Sequence, residues 1–399
     1  MYMNFKKILI TFILIPSICF TGCWSSKELN TLAIVVATGI DKTEKGYLIS
    51  EQVINPRVIA SQKAIDQSPV VLYTGEGRDL EEAIKSIAAK SPREIYNSHL
   101  KMVIFGNKVA ESGIKDIVDY FARDYQYRTD FYFAIAKNKT AKEVLEVLTP
   151  MESIPGISMY NSLKLSGETW ATTKSIRIIE LINSIVSDGK NPVIAGIDIT
   201  EGETFPKSIE NLKESGEIKK IEYSSLGVLK KDRLVGWLNE DESKGYNYIV
   251  GDVKNTVDHT YYGDKVKITG DVIDSKSDIK ASIINNKPVI NVKIDVKQKI
   301  GAVEGDFDVS KEENKDLVNR LSEQKIELIC KEALNKAQND LKSDIFGFGE
   351  AVHRKNPKLW AKIKDKWDSE FVHIPVNITV NVKTNQLGEI TKSFFIKEK

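Results

Sequence analysis

The chain has 399 residues and carries 57 Lys and Arg against 56 Asp and Glu. This balance gives no electrostatic case for nucleic acid binding, which needs a basic face to replace condensed counterions. Only three cysteines are present, which excludes a disulfide-rich scaffold. A chain of this length exceeds what one compact core usually holds, so we expect two or three subdomains.

The first residues are typical of a secretory signal. Lys6 and Lys7 precede an apolar run at residues 8–20. That run is shorter than the ~20 apolar residues needed to span a bilayer, but it suits the core of a signal peptide. We therefore predict a signal peptide at residues 1–22. Because the positive start stays cytoplasmic, the remainder is expected to be exported, with a net charge close to zero.

The sequence Phe20-Thr21-Gly22-Cys23 resembles a lipobox. Small side chains before the cysteine fit a narrow peptidase groove, and a thiol can form a thioether with diacylglycerol. Phe20 departs from the usual aliphatic residue, and an uncleaved anchor or ordinary cleavage beside an incidental Cys23 are the alternatives. Two or more acyl chains, each contributing ~0.8 kcal/mol per buried CH₂, would hold the chain on a membrane. We predict Cys23 as the lipidation site.

Strands and helices alternate through the first half of the chain. Residues 32–41 and 47–55 predict a hairpin, and Thr140 to Glu143 match a capping box that starts a helix. Further strands are predicted at 101–106 and 131–136, and further helices at 79–89, 114–123 and 175–187.

The second half is richer in strand patterns. Strands are predicted at 193–199, 218–223, 226–230, 234–238, 266–273, 279–284, 289–300 and 376–382. Helices are predicted at 240–248, 314–342 and 360–367, with turns at Lys231-Asp232 and at residues 285–288. We predict an α+β fold of three mixed α/β subdomains, built on largely antiparallel sheets with helices packed on them. Their expected bounds are 23–190, 191–252 (small and β-rich) and 253–399.

No catalytic constellation is found in the sequence. The four histidines are scattered, and neither HExxH, a zinc-type cysteine pair, GxSxG nor a P-loop occurs. The glycine stretches 74–78 and 347–352 lack a third glycine at dinucleotide spacing and are predicted to be turns. His99 is expected to have a structural hydrogen-bonding role, and Cys330 to be a buried apolar group on a helix rather than a nucleophile. We therefore predict no enzyme, catalytic residue, cofactor or metal.

The aromatic residues are predicted to be mainly structural. Trp237 closes a strand, and Trp360 and Trp367 are seven residues apart on one helical face. Phe346, Phe348 and Phe371 either pack beneath that helix or form an exposed docking patch. Packing in the core is favoured, because monomers seldom expose large apolar areas.

Several motifs together resemble the Ger(x)C family of spore germination lipoproteins. The similarity begins at Cys23-Trp24 and Glu28-Leu29, where Ser25 departs from the family's usual acidic residue. It continues through Gly39-Ile-Asp41, 98–101, Gly113-Ile114, 121–124, 227–238, Asp344-Ile-Phe-Gly-Phe-Gly349, His353-Arg354, Pro357, Trp360 and Trp367.

The resemblance implies a non-enzymatic C subunit of a nutrient germinant receptor, with three mixed α/β domains. Such a subunit would be anchored through lipid on Cys23 to the outer face of the spore inner membrane. Its implied partners are a polytopic A subunit and a transporter-like B subunit. Cys23 alone transfers as a site residue.

Two other functions are open from the sequence. A lipoprotein that directly binds a small nutrient would need a deep cleft with a few convergent polar groups. A cell-wall enzyme is a more distant possibility, given that no catalytic set is seen.

Overall fold

The computed structural model describes residues 28–60, 67–200 and 220–386. Helices pack on two mixed β-sheets, which confirms the α+β prediction. The predicted signal peptide and Cys23 lie outside the described residues. Among the helices that are described, none is both long and apolar enough to cross a bilayer.

The large sheet contains nine strands, in the order β3-β2-β1-β5-β6-β7-β8-β9, with β4 paired to β1. The strands are β1 (Leu32–Thr43), β2 (Gly46–Ile54), β3 (Val70–Gly77), β4 (Glu94–Tyr96), β5 (Met102–Gly106), β6 (Tyr132–Ala136), β7 (Val193–Ile199), β8 (Ile221–Lys230) and β9 (Arg233–Leu238). The hairpin predicted at the start of the chain is confirmed as β1 and β2, which pair antiparallel.

The centre of the large sheet is parallel. Strands β1, β5, β6 and β7 run in one direction, whereas the pairs toward both edges are antiparallel. Parallel neighbours need crossover connections, and helices supply them between these strands. The largely antiparallel sheets predicted from sequence are therefore found at the edges, and the centre departs from that prediction.

The helices of the first half cover both faces of this sheet and enclose two separate apolar cores. They are α1 (Pro56–Ile59), α2 (Leu80–Ser86), α3 (Asn107–Ser112), α4 (Lys115–Arg123), α5 (Ala141–Leu145), α6 (Pro155–Thr169) and α7 (Ile178–Val186). The predicted capping box is confirmed: the side chains of Thr140 and Glu143 each accept a hydrogen bond from the other residue's backbone N–H. The long helix α6 was not predicted, because its sequence mixes glycine, serine and threonine with the apolar residues.

The second sheet has four strands in the order β10-β11-β12-β13. They are β10 (Thr256–Tyr262), β11 (Val266–Ile284), β12 (Lys287–Glu304) and β13 (Val376–Gln386). Residues 266–273 and 279–284, predicted as two strands, form the single long β11, and β10 was not predicted. A register shift at Val272/Asp274 in the pairing of β11 with β12 lets β11 continue past the interruption in its apolar pattern.

Helices on this second sheet build the largest core of the molecule. They are α8 (Glu240–Val250), α9 (Glu312–Asn335), α10 (Phe348–Lys355), α11 (Pro357–Ile363) and α12 (Trp367–Phe371). A π-helical turn, Lys336–Asp340, follows α9. Gly251 ends α8 in the left-handed region, with φ of 79°.

The strands predicted for a small middle subdomain continue the large sheet. Strand β7 pairs with β6 on one side and with β8 on the other. Residues 221–230 form one strand rather than two, with a bulge opposite Gly196 and Ile197 that accommodates the polar Ser224-Ser225 pair. The division at residues 190 and 252 stays a prediction.

Candidate functional site

The two sheets are joined around the buried carboxylate of Asp344. Its Oδ1 accepts hydrogen bonds from the backbone N–H groups of Phe346, Gly347 and Phe348, at 3.1, 2.9 and 3.2 Å. Its Oδ2 accepts from the backbone N–H of Gly349 at 2.9 Å and from Trp367 Nε1 at 3.0 Å. One side chain therefore satisfies four backbone donors at the start of α10 and fixes an indole from α12.

Two opposing electrostatic effects, burial and hydrogen bonding, act on the carboxyl group of Asp344. Complete burial raises the pKa of its carboxyl group to about 6, although the hydrogen bonds from Gly349, Phe348 and Trp367 favour the charged form. The position N-terminal to α10 also favours a negative charge. Gly347 adopts the left-handed region with φ of 80°, which a residue with a side chain rarely does, so the loop is specific to glycine there.

The Asp344 loop contacts the end of the large sheet directly. The backbone N–H of Asn191, just before β7, donates to the carbonyl of Asp344 at 2.6 Å. Ser343 Oγ donates to the carbonyl of Leu229 on β8 at 2.8 Å. Asn191 Oδ1 in turn accepts from the backbone N–H of Lys231 at 2.8 Å. The loop is thus hydrogen-bonded to the segment before β7 and to the end of β8.

A close approach of two glycines completes this junction. A Cβ atom on Gly349 would lie 2.5 Å from the Cα of Gly189, which no side chain tolerates. Ser187 Oγ also donates to Glu350 Oε1 at 3.0 Å across the same contact. The backbone after α7 and the first turn of α10 therefore pack against each other with no side chain between them.

Aromatic side chains surround the Asp344 loop and are buried. Phe346 stacks on Phe348 with ring centroids 5.0 Å apart, and Trp360 meets Trp367 edge-on at 5.1 Å. Phe371 lies 6.2 Å from Phe348 and is fully buried. The core interpretation of these aromatic residues is confirmed, and the exposed docking patch that was its alternative is wrong.

A second buried carboxylate, Asp41, holds the start of α5 in the first half. Its two oxygens accept from the backbone N–H groups of Ala141 and Lys142, at 2.8 and 3.0 Å. A Cβ atom on Gly106 would lie 2.0 Å from Asp41 Oδ1, so any larger residue at the end of β5 would displace this carboxylate. Burial raises the pKa of Asp41, against these hydrogen bonds.

A third buried acid, Glu51 on β2, lies in the core between the sheet and α2. Thr38 Oγ1 donates to its Oε2 at 2.6 Å, while Oε1 is buried without a hydrogen-bond partner. Burial raises the pKa of Glu51 to about 8, far above its ordinary value of 4.5. Glu51 is thus a carboxyl group that the fold keeps neutral well into the physiological range.

Replacement of Glu51 by glutamine is expected to raise the free energy of unfolding more at about pH 8.5 than at about pH 5.5. Because its folded pKa is raised, the neutral form stabilises the fold fully below pH ~4.5, and this contribution is lost as the pH rises through about 8. Denaturant unfolding of both chains at the two pH values measures the difference. Glu76→Gln, on the exposed face of β3, is the matched control; equal gains for Glu51→Gln at both pH values would contradict the prediction.

One polar cavity of about 260 Å³ lies between α6, the segment before α7 and the end of α8. Lys174 is largely buried there, forms an ion pair with Glu180 at 3.3 Å and is hydrogen-bonded to Asp252. Lys164, Glu168 and Lys254 also line it. The charges of this cavity are therefore largely paired within the protein.

The structure shows the surroundings of the residues that were singled out in the sequence. Cys330 is fully buried, its Sγ lies 3.7 Å from the Gly245 carbonyl, and burial raises the pKa of its thiol, as predicted for an apolar group. Trp237 packs over Gly196 and Gly227. His99 is exposed beside Tyr96, and its predicted hydrogen-bonding role is not found among the described residues. Across residues 28–60, 67–200 and 220–386, no three His, Cys, Asp or Glu are grouped to hold a metal ion.

Two family models together match most of the chain. The model for the spore germination protein N-terminal domain matches residues 25–199, and the model for the spore germination B3/GerAC-like C-terminal region matches residues 224–388. The chain belongs to the Ger(x)C family.

Similar Ger(x)C proteins align along nearly their full lengths. Spore germination protein KC of Bacillus subtilis is 28% identical over 96% of each chain, and spore germination protein B3 of the same organism is 25% identical over 97% of this chain and 99% of its own. The crystal structure of the GerBC protein has a TM-score of 0.56 at 22% identity, covering 87% of this chain and 96% of that chain. This last similarity supports the Ger(x)C fold.

Two of the Ger(x)C motifs found in the sequence contain the buried carboxylates Asp344 and Asp41. The stretch 344–349 forms the loop around Asp344, and Trp367 donates to it. Gly39-Ile-Asp41 contains the acid that holds α5. Sequence reasoning recognised these motifs but did not predict what their carboxylates bind, and it missed Glu51 and Lys174. The signal for Glu51 was available: Ser50-Glu-Gln52 interrupts an otherwise apolar strand.

Proposed function

We propose that this chain is the lipoprotein subunit of a spore nutrient germinant receptor, held by lipid on Cys23. In this role it acts without catalysis, as an assembly and signalling module for a polytopic A subunit and a transporter-like B subunit. Its place would be the outer face of the spore inner membrane. The observation that carries the proposal is the similarity to spore germination proteins along almost the entire chain.

The junction around Asp344 supports a signalling role on physical grounds. Hydrogen bonds and backbone contacts without intervening side chains resist local sliding, so a displacement of one sheet is passed to the other. A subunit that links two membrane partners needs this stiffness between its contact surfaces.

The anchor is tested by Cys23→Ala in the full-length chain. We expect the variant to be released from the membrane after processing or to accumulate as the precursor, because no thioether can form. Fractionation of sporulating cells, with detection of the chain, measures this. Cys330→Ala, which removes a buried thiol far along the chain, is the control, and a Cys23→Ala chain that fractionates like the unaltered protein would contradict the anchor.

Germination assays of the same strains test the receptor role. Spores that lack this chain, or that carry Cys23→Ala, are expected to lose the response conferred by the matching A and B subunits. Normal germination of the deletion strain through those subunits would contradict the proposed function.

A second candidate function is direct binding of a small nutrient in the polar cavity lined by Lys174. Both signs of charge line this cavity, as recognition of a zwitterion would need. Against it, the cavity is smaller than the ~300–1,000 Å³ of ordinary ligand sites. Saturable heat on titration of the exported chain with amino acids would favour this candidate over the assembly role.

A further inference from the structure

A small cavity lies at the end of the large sheet where the described chain begins. Strand β1 starts at Leu32, and the residues from Cys23 to Leu29 reach at most roughly 20 Å when fully extended. If Cys23 is lipidated, this end of the sheet must lie at or near the membrane surface. The inference below rests on that part of the proposed function.

The cavity has a volume of about 150 Å³. Its floor is made by Leu32 and Ala33 of β1 and Val53 of β2, all buried, and Tyr73 of β3 lies at its side. The β2 strand ends beside the start of β3, since Ile54 pairs with Val70. The site is therefore an apolar recess at the strand ends and not a gap between loops.

Two arginines are the charged side chains at this recess. Arg57, on α1, is exposed, and Arg93, before β4, is half-buried. Neither guanidinium has a carboxylate partner among the described residues, unlike Arg78 and Arg123, which form ion pairs with acids four residues away. Guanidinium groups bind phosphate oxygens through paired N–H donors, and they are less strongly hydrated than ammonium groups.

The apolar surface beside the arginines also fits a bilayer interface. Ile59 on α1 is 47% exposed and Val71 on β3 is 40% exposed. Val71 lines the recess, and Ile59 is two residues from Arg57. Apolar side chains next to cations are the combination that favours the boundary between headgroups and acyl chains.

We propose that this recess binds the phosphate of an anionic phospholipid in the leaflet that holds the acyl chains of Cys23. Arg57 and Arg93 contact the phosphate, and the glycerol region lies over the apolar floor. A recess of about 150 Å³ admits a phosphate and part of the glycerol, and it is smaller than the ~300–1,000 Å³ of ordinary ligand sites. The contact would orient the sheet on the membrane, which one flexible tether cannot do.

The test uses the mature chain with Cys23→Ser, which removes the lipid, and vesicles of phosphatidylcholine with or without phosphatidylglycerol. We expect partitioning onto the vesicles that contain phosphatidylglycerol, and a loss of about tenfold or more in the Arg57→Gln/Arg93→Gln chain. Arg57→Lys/Arg93→Lys keeps the charge and loses the paired donors, so its binding should be clearly weaker than that of the unaltered chain. Circular dichroism checks that each variant is folded.

Arg320→Gln/Arg354→Gln is the matched control, since it removes two exposed arginines from α9 and α10 on the second sheet. Equal partitioning of the two glutamine variants would overturn the proposal, and so would a lysine variant that binds like the unaltered chain. Failure here is distinct from failure of the anchor, because the vesicle assay uses no lipid on residue 23, whereas the anchor is read from cell fractionation.

Discussion

Asp344→Ala is expected to lower the free energy of unfolding by at least about 3 kcal/mol. The substitution leaves the N–H groups of Phe346, Gly347, Phe348 and Gly349 and the indole of Trp367 without their common acceptor. Buried donors without partners cost ~1–3 kcal/mol each, and partial solvation lowers the sum. Denaturant unfolding followed by tryptophan fluorescence, to which Trp367 is one of five contributors, measures the loss.

The matched control for this substitution is Asp119→Ala. Asp119 is exposed on α4 and pairs with Arg123 one turn away, an interaction that contributes little to stability because solvent screens it. We expect that variant to unfold close to the unaltered chain. A loss at Asp344 no larger than the loss at Asp119 would show that the buried hydrogen bonds do not stabilise the junction.

Gly245→Ala is expected to destabilise the chain by about 2 kcal/mol or more, although alanine is the better helix former. A Cβ atom on Gly245 would lie 2.1 Å from the carbonyl oxygen of Ile329 and 2.6 Å from its carbonyl carbon. These are backbone atoms of α9, so α8 and α9 would have to separate. The separation would also lengthen the contact between Cys330 Sγ and the Gly245 carbonyl.

Gly167→Ala is expected to have the opposite effect on the stability of the same protein. Gly167 lies in α6, and the nearest atom to an added Cβ is 3.5 Å away, an ordinary contact. The substitution should stabilise the chain by about 0.5–1 kcal/mol, because alanine loses less backbone entropy in a helix. Melting curves of the two variants are expected to shift in opposite directions, and shifts of the same sign would contradict the steric account of Gly245.

Local structure was predictable wherever it is determined by residues that are close together in the sequence. The Thr140 capping box and the Lys231-Asp232 turn each depend on contacts within a few residues, and both are confirmed. The hairpin of β1 and β2 was predictable for the same reason, since its turn is short and its strands are apolar.

Pairing between distant segments was not predictable from patterns. Strands β5, β6 and β7 are short apolar runs that fit many partners, and only the tertiary fold selects their parallel order. The full length of β11 was not predicted because its alternation of apolar and polar residues is interrupted. A register shift in its pairing with β12 lets the strand continue past that interruption. The Asp344 loop was recognised as a motif, but the donors it collects come partly from Trp367, in another helix, and this partner is not visible in the spacing.

Cys23, the one site residue predicted from the sequence, stays a prediction. It is based on its neighbours Thr21 and Gly22, on the short apolar run before them and on the resemblance to the Ger(x)C family at Cys23-Trp24. The recess beside Arg57 and Arg93, at the end of the large sheet where the described residues begin, was not indicated by any of those residues.

The pairing of β7 with β8 has a practical consequence for exchanging parts between relatives. The regions matched by the two family models meet between residues 199 and 224, yet the strands on either side of that point lie next to each other in one sheet. A chimera joined at that point would pair β7 of one parent with β8 of the other. The bulge in this pairing would then have to form between strands from two different proteins. A cut at Gly251, beyond β9 and α8, keeps all strands of the large sheet from a single parent.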